Sequence, residues 1–190
     1  NAEKVVKFLK KHKEVKKIIY STEHDKIISD RAKKYLKDKS IYHQPGLNEE
    51  LGATAVWGSQ QGEFEDRGNK DGVFGIWYGK GPGVDRTMDV FKHANAAGSS
   101  KYGGVLTIAG DDHGCKSSSI PHQSDHNFIS AFIPYLYPAG IDDIVSYGLL
   151  GFEMSRYSGC WIGMKMVSDV ADSSKTYDIK AYAQDPSSIK

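Results

Sequence analysis

The sequence predicts an α/β domain: a three-layer arrangement with a parallel sheet between helices on both faces. Three observations predict it. Residues 72–78 (GVFGIWY), 105–109 (VLTIA) and 160–167 (CWIGMKMV) are short apolar runs rich in β-branched and aromatic residues, as buried strands are. Stretches of helical periodicity, about a dozen residues each, separate them, and that alternation is the mark of parallel βαβ units. The composition is that of an ordinary globular chain: 190 residues, 39% hydrophobic and 26% charged. That length suits one domain, with room for a short extension.

The elements follow in order. Residues 2–17 pattern as a helix, with Val5, Val6, Phe8 and Leu9 set among lysines. Residues 17–21 (KIIYS) read as a strand and 25–39 as a helix, since Ile27, Ile28, Ala32 and Leu36 share a face. Residues 40–43 read as a short strand, and Gln44-Pro45-Gly46 as a turn. Asn48 is a good N-cap for a helix whose first turn holds Glu49 and Glu50, where the macrodipole favours carboxylates. Residues 51–61 continue that helix, and Gly52, Ala53, Ala55 and Gly58 suggest close packing. A charged loop (63–71) leads to the 72–78 strand. A Gly/Pro loop (79–83) then leads to a helix over 85–97 with Val90, Phe91 and Ala94 as its apolar stripe. Loop 98–104 precedes strand 105–109, and polar loop 110–119 follows it. Residues 121–133 read as a helix with Pro121 in its first turn. Pro138-Ala139-Gly140 breaks the chain, 141–157 is helical, 160–167 is a strand, and the tail from Ser168 is polar.

Several function classes drop out early. Residues 1–39 hold 13 Lys/Arg and 6 Asp/Glu, whereas the remainder holds 12 and 18. A basic head can bind nucleic acid, but no recognised nucleic-acid motif follows these lysines, so a solvated amphipathic helix is the expectation. The shift marks a boundary near residue 20. The longest apolar stretch, 128–141, is interrupted by Ser130, Pro134 and Pro138, so no membrane span is expected. Cys115 and Cys160 form no cluster or zinc spacing, and reduced thiols in a cytoplasm are the default. No signal peptide, internal repeat or low-complexity segment is visible. A chain opening on Asn1 is expected to be an excerpt or a processed product.

Ligands of parallel α/β sheets sit beyond the carboxyl ends of the strands. That points to three segments: 44–50, 78–86 and 110–122. Glu49 and Glu50 read either as capping acids or as one catalytic carboxylate. Gly79-Lys80-Gly81-Pro82-Gly83 can let backbone approach a ligand, although its spacing fits neither a Walker loop nor a dinucleotide fingerprint. Asp111, Asp112 and His113 follow a strand. His122 and His126, four apart, could share a metal with Asp112 in a hydrolase, but Gln123 stands where the zincin pattern needs Glu, and no metal is assigned. The serines at 117–119 lack a Gly-x-Ser-x-Gly elbow.

Longer motifs carry a resemblance. HQPGLNEEL at 43–51, ATAVWGSQQ at 53–61 and DGVFGIWYGKGPGVDR at 71–86 resemble the bacterial indolepyruvate ferredoxin oxidoreductases. So do GDDH at 110–113, PHQS at 121–124, YPAG at 137–140 and SRYSGCW at 155–161. These enzymes belong to the thiamine-diphosphate-dependent 2-oxoacid:ferredoxin oxidoreductases, and the resemblance runs from about residue 40 to 172.

It implies a thiamine-diphosphate pyrimidine-binding domain over 23–185, preceded by an atypical Lys-rich extension (1–22) and followed by a tail (186–190). It implies that Glu49, or failing it Glu50, bonds N1′ of the aminopyrimidine and favours the imino tautomer, whose nitrogen takes the proton from thiazolium C2. Tyr78, Lys80 and Gly81 are assigned to the cofactor's neighbourhood, and Asp112, His113 and His122 to the substrate pocket. The implied reaction is oxidative decarboxylation of an aryl 2-oxo acid to an acyl-coenzyme A, with ferredoxin as electron acceptor. Partners are the remaining domains or subunits, and the assembly is expected to be a homodimer.

Two departures matter. Family members open this domain with a Gly-Tyr-Arg-Gly-Ser-Pro loop, where 18–25 here reads IIYSTEHD. The Gly-Asp-Gly…Asn motif for diphosphate and magnesium and the cysteine runs for iron–sulfur clusters do not occur in this sequence, so Mg2+ and clusters are expected on other parts of the enzyme. No turnover is expected from this chain alone. The alternative is a non-catalytic binding or regulatory module of the same fold.

Overall fold

A computed structural model describes residues 16–22 (as backbone), 41–62 and 70–176. Six strands, β1 (Lys16–Thr22), β2 (Tyr42–Gly46), β3 (Val73–Lys80), β4 (Gly104–Asp111), β5 (Tyr135–Leu136) and β6 (Ile162–Val167), form one sheet. Their order is β2-β1-β3-β4-β6-β5, and every neighbouring pair is parallel. The helices are α1 (Glu49–Gln61), α2 (Gly81–Arg86), α3 (Met88–Ala97), α4 (Asp125–Ser130), α5 (Ile141–Ser158) and α6 (Ser168–Ala171). The expected three-layer α/β class is therefore the one found.

Strand alternation divides the core into two layers. On one face Trp77, Val105 and Ala109 pack with Ala53 and Val56 of α1, Phe91 and Ala94 of α3, and Phe128 and Trp161. Trp77 meets Phe91 edge-on, with centroids 4.9 Å apart, a geometry that adds about 1 kcal/mol to area burial. On the other face Leu106, Ile162 and Met164 pack with Ile76, Ile108 and the Ile144, Tyr147, Phe152 and Met154 side chains of α5. Gly159 ends α5 in the left-handed region (φ 75°), and its N–H donates to the Ser155 carbonyl at 2.8 Å.

Several elements differ from the expectation. Gln44-Pro45-Gly46 is no turn but the end of β2. Because β2 is an edge strand, the missing Pro45 N–H costs no ladder bond. Residues 79–83 are not a loop: β3 runs to Lys80, and α2 starts at Gly81 with Pro82 in its first turn, where the absent N–H is harmless. The helix expected over 85–97 is divided at buried Thr87, whose Oγ1 donates to the Gly83 carbonyl at 2.6 Å. The helix expected from Pro121 begins only at Asp125, because Asp111 draws the Ser124 N–H and hydroxyl into its own carboxylate. Gly58 faces open space instead of a packed neighbour. Lys16–Thr22 is a strand, as the 17–21 run predicts, but it lies inside the sheet, although the charge shift set a boundary near residue 20. The helices expected over 2–15 and 25–39, and most of the 63–71 loop, lie outside the described residues.

Candidate functional site

All strands point the same way, so the ends of β2, β3, β4 and β6 share one edge of the sheet. The chain passes from β1 to β2 on one side and on to β3 at the other side of β1. Between the ends of β1 and β3 lies the switch point where open α/β sheets place ligands.

Glu49 reaches that edge from the first turn of α1. The Asn48 side chain accepts the Leu51 N–H at 2.8 Å, and the Glu49 carbonyl accepts the Trp77 indole N–H at 3.1 Å. Strand β3 thereby fixes the tip of α1. The Glu49 side chain lies across Gly83 of α2: a Cβ on that glycine would stand 2.5 Å from Glu49 Cγ. Arg86 sits 3.9 Å from an oxygen of Glu49 and 3.9 Å from one of Glu50. Of the two acids Glu49 is the more enclosed, with its side chain 25% exposed against 46%.

A second cluster gathers at the end of β4. Asp111, fully enclosed, accepts from Ser124 N at 2.8 Å and from Ser124 Oγ at 2.7 Å. The His122 ring lies over Gly81, with Nε2 2.8 Å from Asp85 and Nδ1 3.4 Å from Asp111. Asn127 donates to the other Asp85 oxygen at 2.6 Å. Lys165 of β6 is buried; its ammonium bonds Asp125, stands 3.8 Å from Asp111 and lies 4.8 Å from the Tyr137 ring centroid. Burial pushes the Asp125 carboxyl up, but the Lys165 ammonium and the Tyr135 hydroxyl outweigh it and leave the group below the usual carboxylate value. Tyr135 is raised, first by burial and then by Asp125 beside it.

Asp112 has a different task. Its oxygens accept the backbone N–H of Lys116 (2.9 Å) and Ser117 (2.7 Å), bonds that close the 112–117 loop and hold its carboxyl below the usual range. Lys80 Nζ donates to the Ser117 carbonyl. An open cleft of about 470 Å³ lies there, lined by Lys80, Pro82 and residues 116–120.

The expected site residues thus divide. Glu49, Gly81 and His122 converge on α2. Lys80 and Asp112 flank the cleft, His113 is exposed in the loop beside it, and Tyr78 leaves the sheet on the face opposite Trp77. His122 precedes α4, so it shares no helix face with His126, and among the described residues no three His, Cys, Asp or Glu gather to hold a metal. The hydrolase alternative thus loses its ligand set. Asp85, Arg86 and Lys165 were not singled out from the sequence, and Gly83 was named only as part of the glycine-rich stretch 79–83. Lys165 alone carried a signal, a lysine inside an otherwise apolar strand.

No protein-family model matches the chain, and no curated protein matches it in sequence. Among solved structures, the chain is similar to the 2-oxoglutarate:ferredoxin oxidoreductase from Magnetococcus marinus with 2-oxoglutarate, coenzyme A and succinyl-CoA bound. The TM-score is 0.62 at 12% identity, covering 82% of this chain and 27% of that one. The likeness is one of fold. What the two share is the three-layer arrangement with a parallel sheet, and the chain spans about a quarter of that oxidoreductase chain's length. No helix among the described residues is long and apolar enough to cross a membrane.

Proposed function

We propose that this chain is the pyrimidine-binding domain of a thiamine-diphosphate-dependent 2-oxoacid:ferredoxin oxidoreductase acting on an aryl 2-oxo acid of the indolepyruvate class. The observation that carries the reading is Glu49, an acid held at a helix tip with its side chain seated on Gly83. The fit to the cofactor is chemical. Among the described residues no hydrogen bond reaches the Glu49 carboxylate; its nearest cation, Arg86, stays at 3.9 Å. The carboxylate is therefore available to pair with a ring nitrogen. Thiamine diphosphate, when bound, supplies the carbanion chemistry that decarboxylates a 2-oxo acid.

The chain's own residues have definable tasks. Glu49 holds a proton between its carboxyl and N1′ of the aminopyrimidine. Asn48 and Trp77 fix its backbone, so that the carboxyl is aimed before the cofactor arrives. Gly83 sets how closely α2 approaches it. Lys80 and Gly81 stand where β3 passes into α2, and Tyr78 contributes from the face of that strand opposite Trp77. Asp112 shapes the loop that carries His113, on the substrate side of the edge. The diphosphate–magnesium anchor and the iron–sulfur clusters belong to other domains or subunits, coenzyme A accepts the acyl group, and ferredoxin takes the electrons. The assembly works as a homodimer in the cytoplasm.

The test uses the complete enzyme, following ferredoxin reduction with indolepyruvate and coenzyme A. Glu49→Gln is expected to lower the rate at least about 100-fold, and Glu50→Gln by no more than about three-fold. The reverse ranking moves the role to Glu50. Full activity in both variants replaces this reading with that of a non-catalytic module.

A further inference from the structure

Helix α2 is a wedge with a ligand-facing acid on one side and a histidine on the other. Positions two apart on a helix turn by about 200°, so Gly81 and Gly83 face opposite ways. The side chain of Glu49 lies on Gly83, and the ring of His122 lies on Gly81, where a Cβ would stand 1.9 Å from Nδ1. The same two sides repeat four and three residues on: Asp85 bonds His122 Nε2 at 2.8 Å, and Arg86 faces Glu49 at 3.9 Å. His122 is 9% exposed, and both its ring nitrogens look at carboxylates, Asp85 on α2 and Asp111 at the end of β4. A ring that carries an N–H on each nitrogen donates at both ends and ties two carboxylates together. Asp111 is itself held by Ser124 and approached by Lys165, so it is a fixed point of the sheet.

We infer that His122 is a positioning residue for Glu49, acting through α2: it pins α2 to the end of β4 and so sets the floor on which the Glu49 carboxyl rests. This assigns His122 a task other than substrate contact. It rests on the reading of Glu49 given above, and the experiment separates the two.

The first arm needs no cofactor. In the 190-residue chain Gly81→Ala drives a methyl into the His122 ring and is expected to lower the midpoint of thermal unfolding by about 4 °C. In a His122→Ala background that penalty is expected to fall below about 1 °C, because the ring is gone. The Trp77 indole N–H, bonded to the Glu49 carbonyl, is expected to shift its resonance in His122→Ala and to return toward its original position in His122→Gln, whose amide can still reach Asp85. Additive melting shifts, or an unmoved Trp77 resonance, overturn the inference.

The second arm uses the complete enzyme. His122→Ala is expected to slow exchange of the thiazolium C2 proton about 10- to 100-fold with the KM for the 2-oxo acid within about two-fold, and His122→Gln to recover part of the rate. A raised KM with unchanged exchange makes His122 a substrate contact and overturns the inference. If Glu49→Gln leaves exchange intact, the function proposed for Glu49 fails, while the melting cycle and the Trp77 resonance still decide whether His122 positions α2.

Discussion

The Glu49 side chain occupies the space that a side chain at Gly83 would need: a Cβ there would come within 2.5 Å of Glu49 Cγ and 3.3 Å of its Cδ. Gly83→Ala is therefore expected to push the carboxyl off the crevice and to destabilise the chain by about 1–3 kcal/mol, the usual range for overpacking. Denaturant unfolding measures it. In a Glu49→Ala background most of that cost should vanish; an undiminished cost would place the strain elsewhere.

Asn48 holds the first turn of α1 through the Leu51 N–H at 2.8 Å. Asn48→Ala is expected to cost about 1 kcal/mol, and Asn48→Asp close to nothing, since an aspartate caps equally well. Hydrogen exchange at Leu51 should speed up in the alanine variant only.

Lys165, 3% exposed, neutralises the Asp111 and Asp125 carboxylates from inside the sheet. Lys165→Ala leaves both without their cation, and a loss of about 3 kcal/mol is expected in urea unfolding. Lys165→Met combined with Asp125→Asn should lose less, because the second change removes one stranded charge. Equal losses in the two variants would mean that Lys165 acts through packing alone.

Asp112 gives a pH dependence with a definite sign. Its carboxyl is held below the usual value of 3.8 by the backbone N–H groups of Ser117 and Lys116, so the folded state prefers the ionised form. That contribution is present above the unfolded carboxylate value and is lost as pH falls through the lowered folded value. Protection of the Lys116 and Ser117 amides should drop over that acid range in the native chain. In Asp112→Asn, protection should be lower at neutral pH and lack this acid step.

Legibility in the sequence followed the range of the interaction. β3, β4, β6, α1 and α5 were readable because runs such as GVFGIWY and VLTIA announce burial through their own residues. Glu49 was readable as a helix-tip acid, and Asn48 as its cap, because capping is local. The wedge of α2 was not. Gly81-Pro82-Gly83 looks like a loop until His122 and Glu49, 41 and 34 residues away, are seen to need the vacant Cβ positions. The late start of α4 was hidden for the same reason: the carboxylate that unwinds residues 121–124 belongs to Asp111 on another element. Pro45 read as a turn because sequence alone does not tell that β2 is an edge strand.

The most direct measurement is the rate at which the C2 proton of bound thiamine diphosphate exchanges with deuterated water, followed by proton NMR after acid quench of the complete enzyme. With Glu49 intact fast exchange is expected, and with Glu49→Gln a rate at least about 100-fold slower while the cofactor stays bound. Exchange equally fast in the glutamine variant would contradict the role given to this carboxylate.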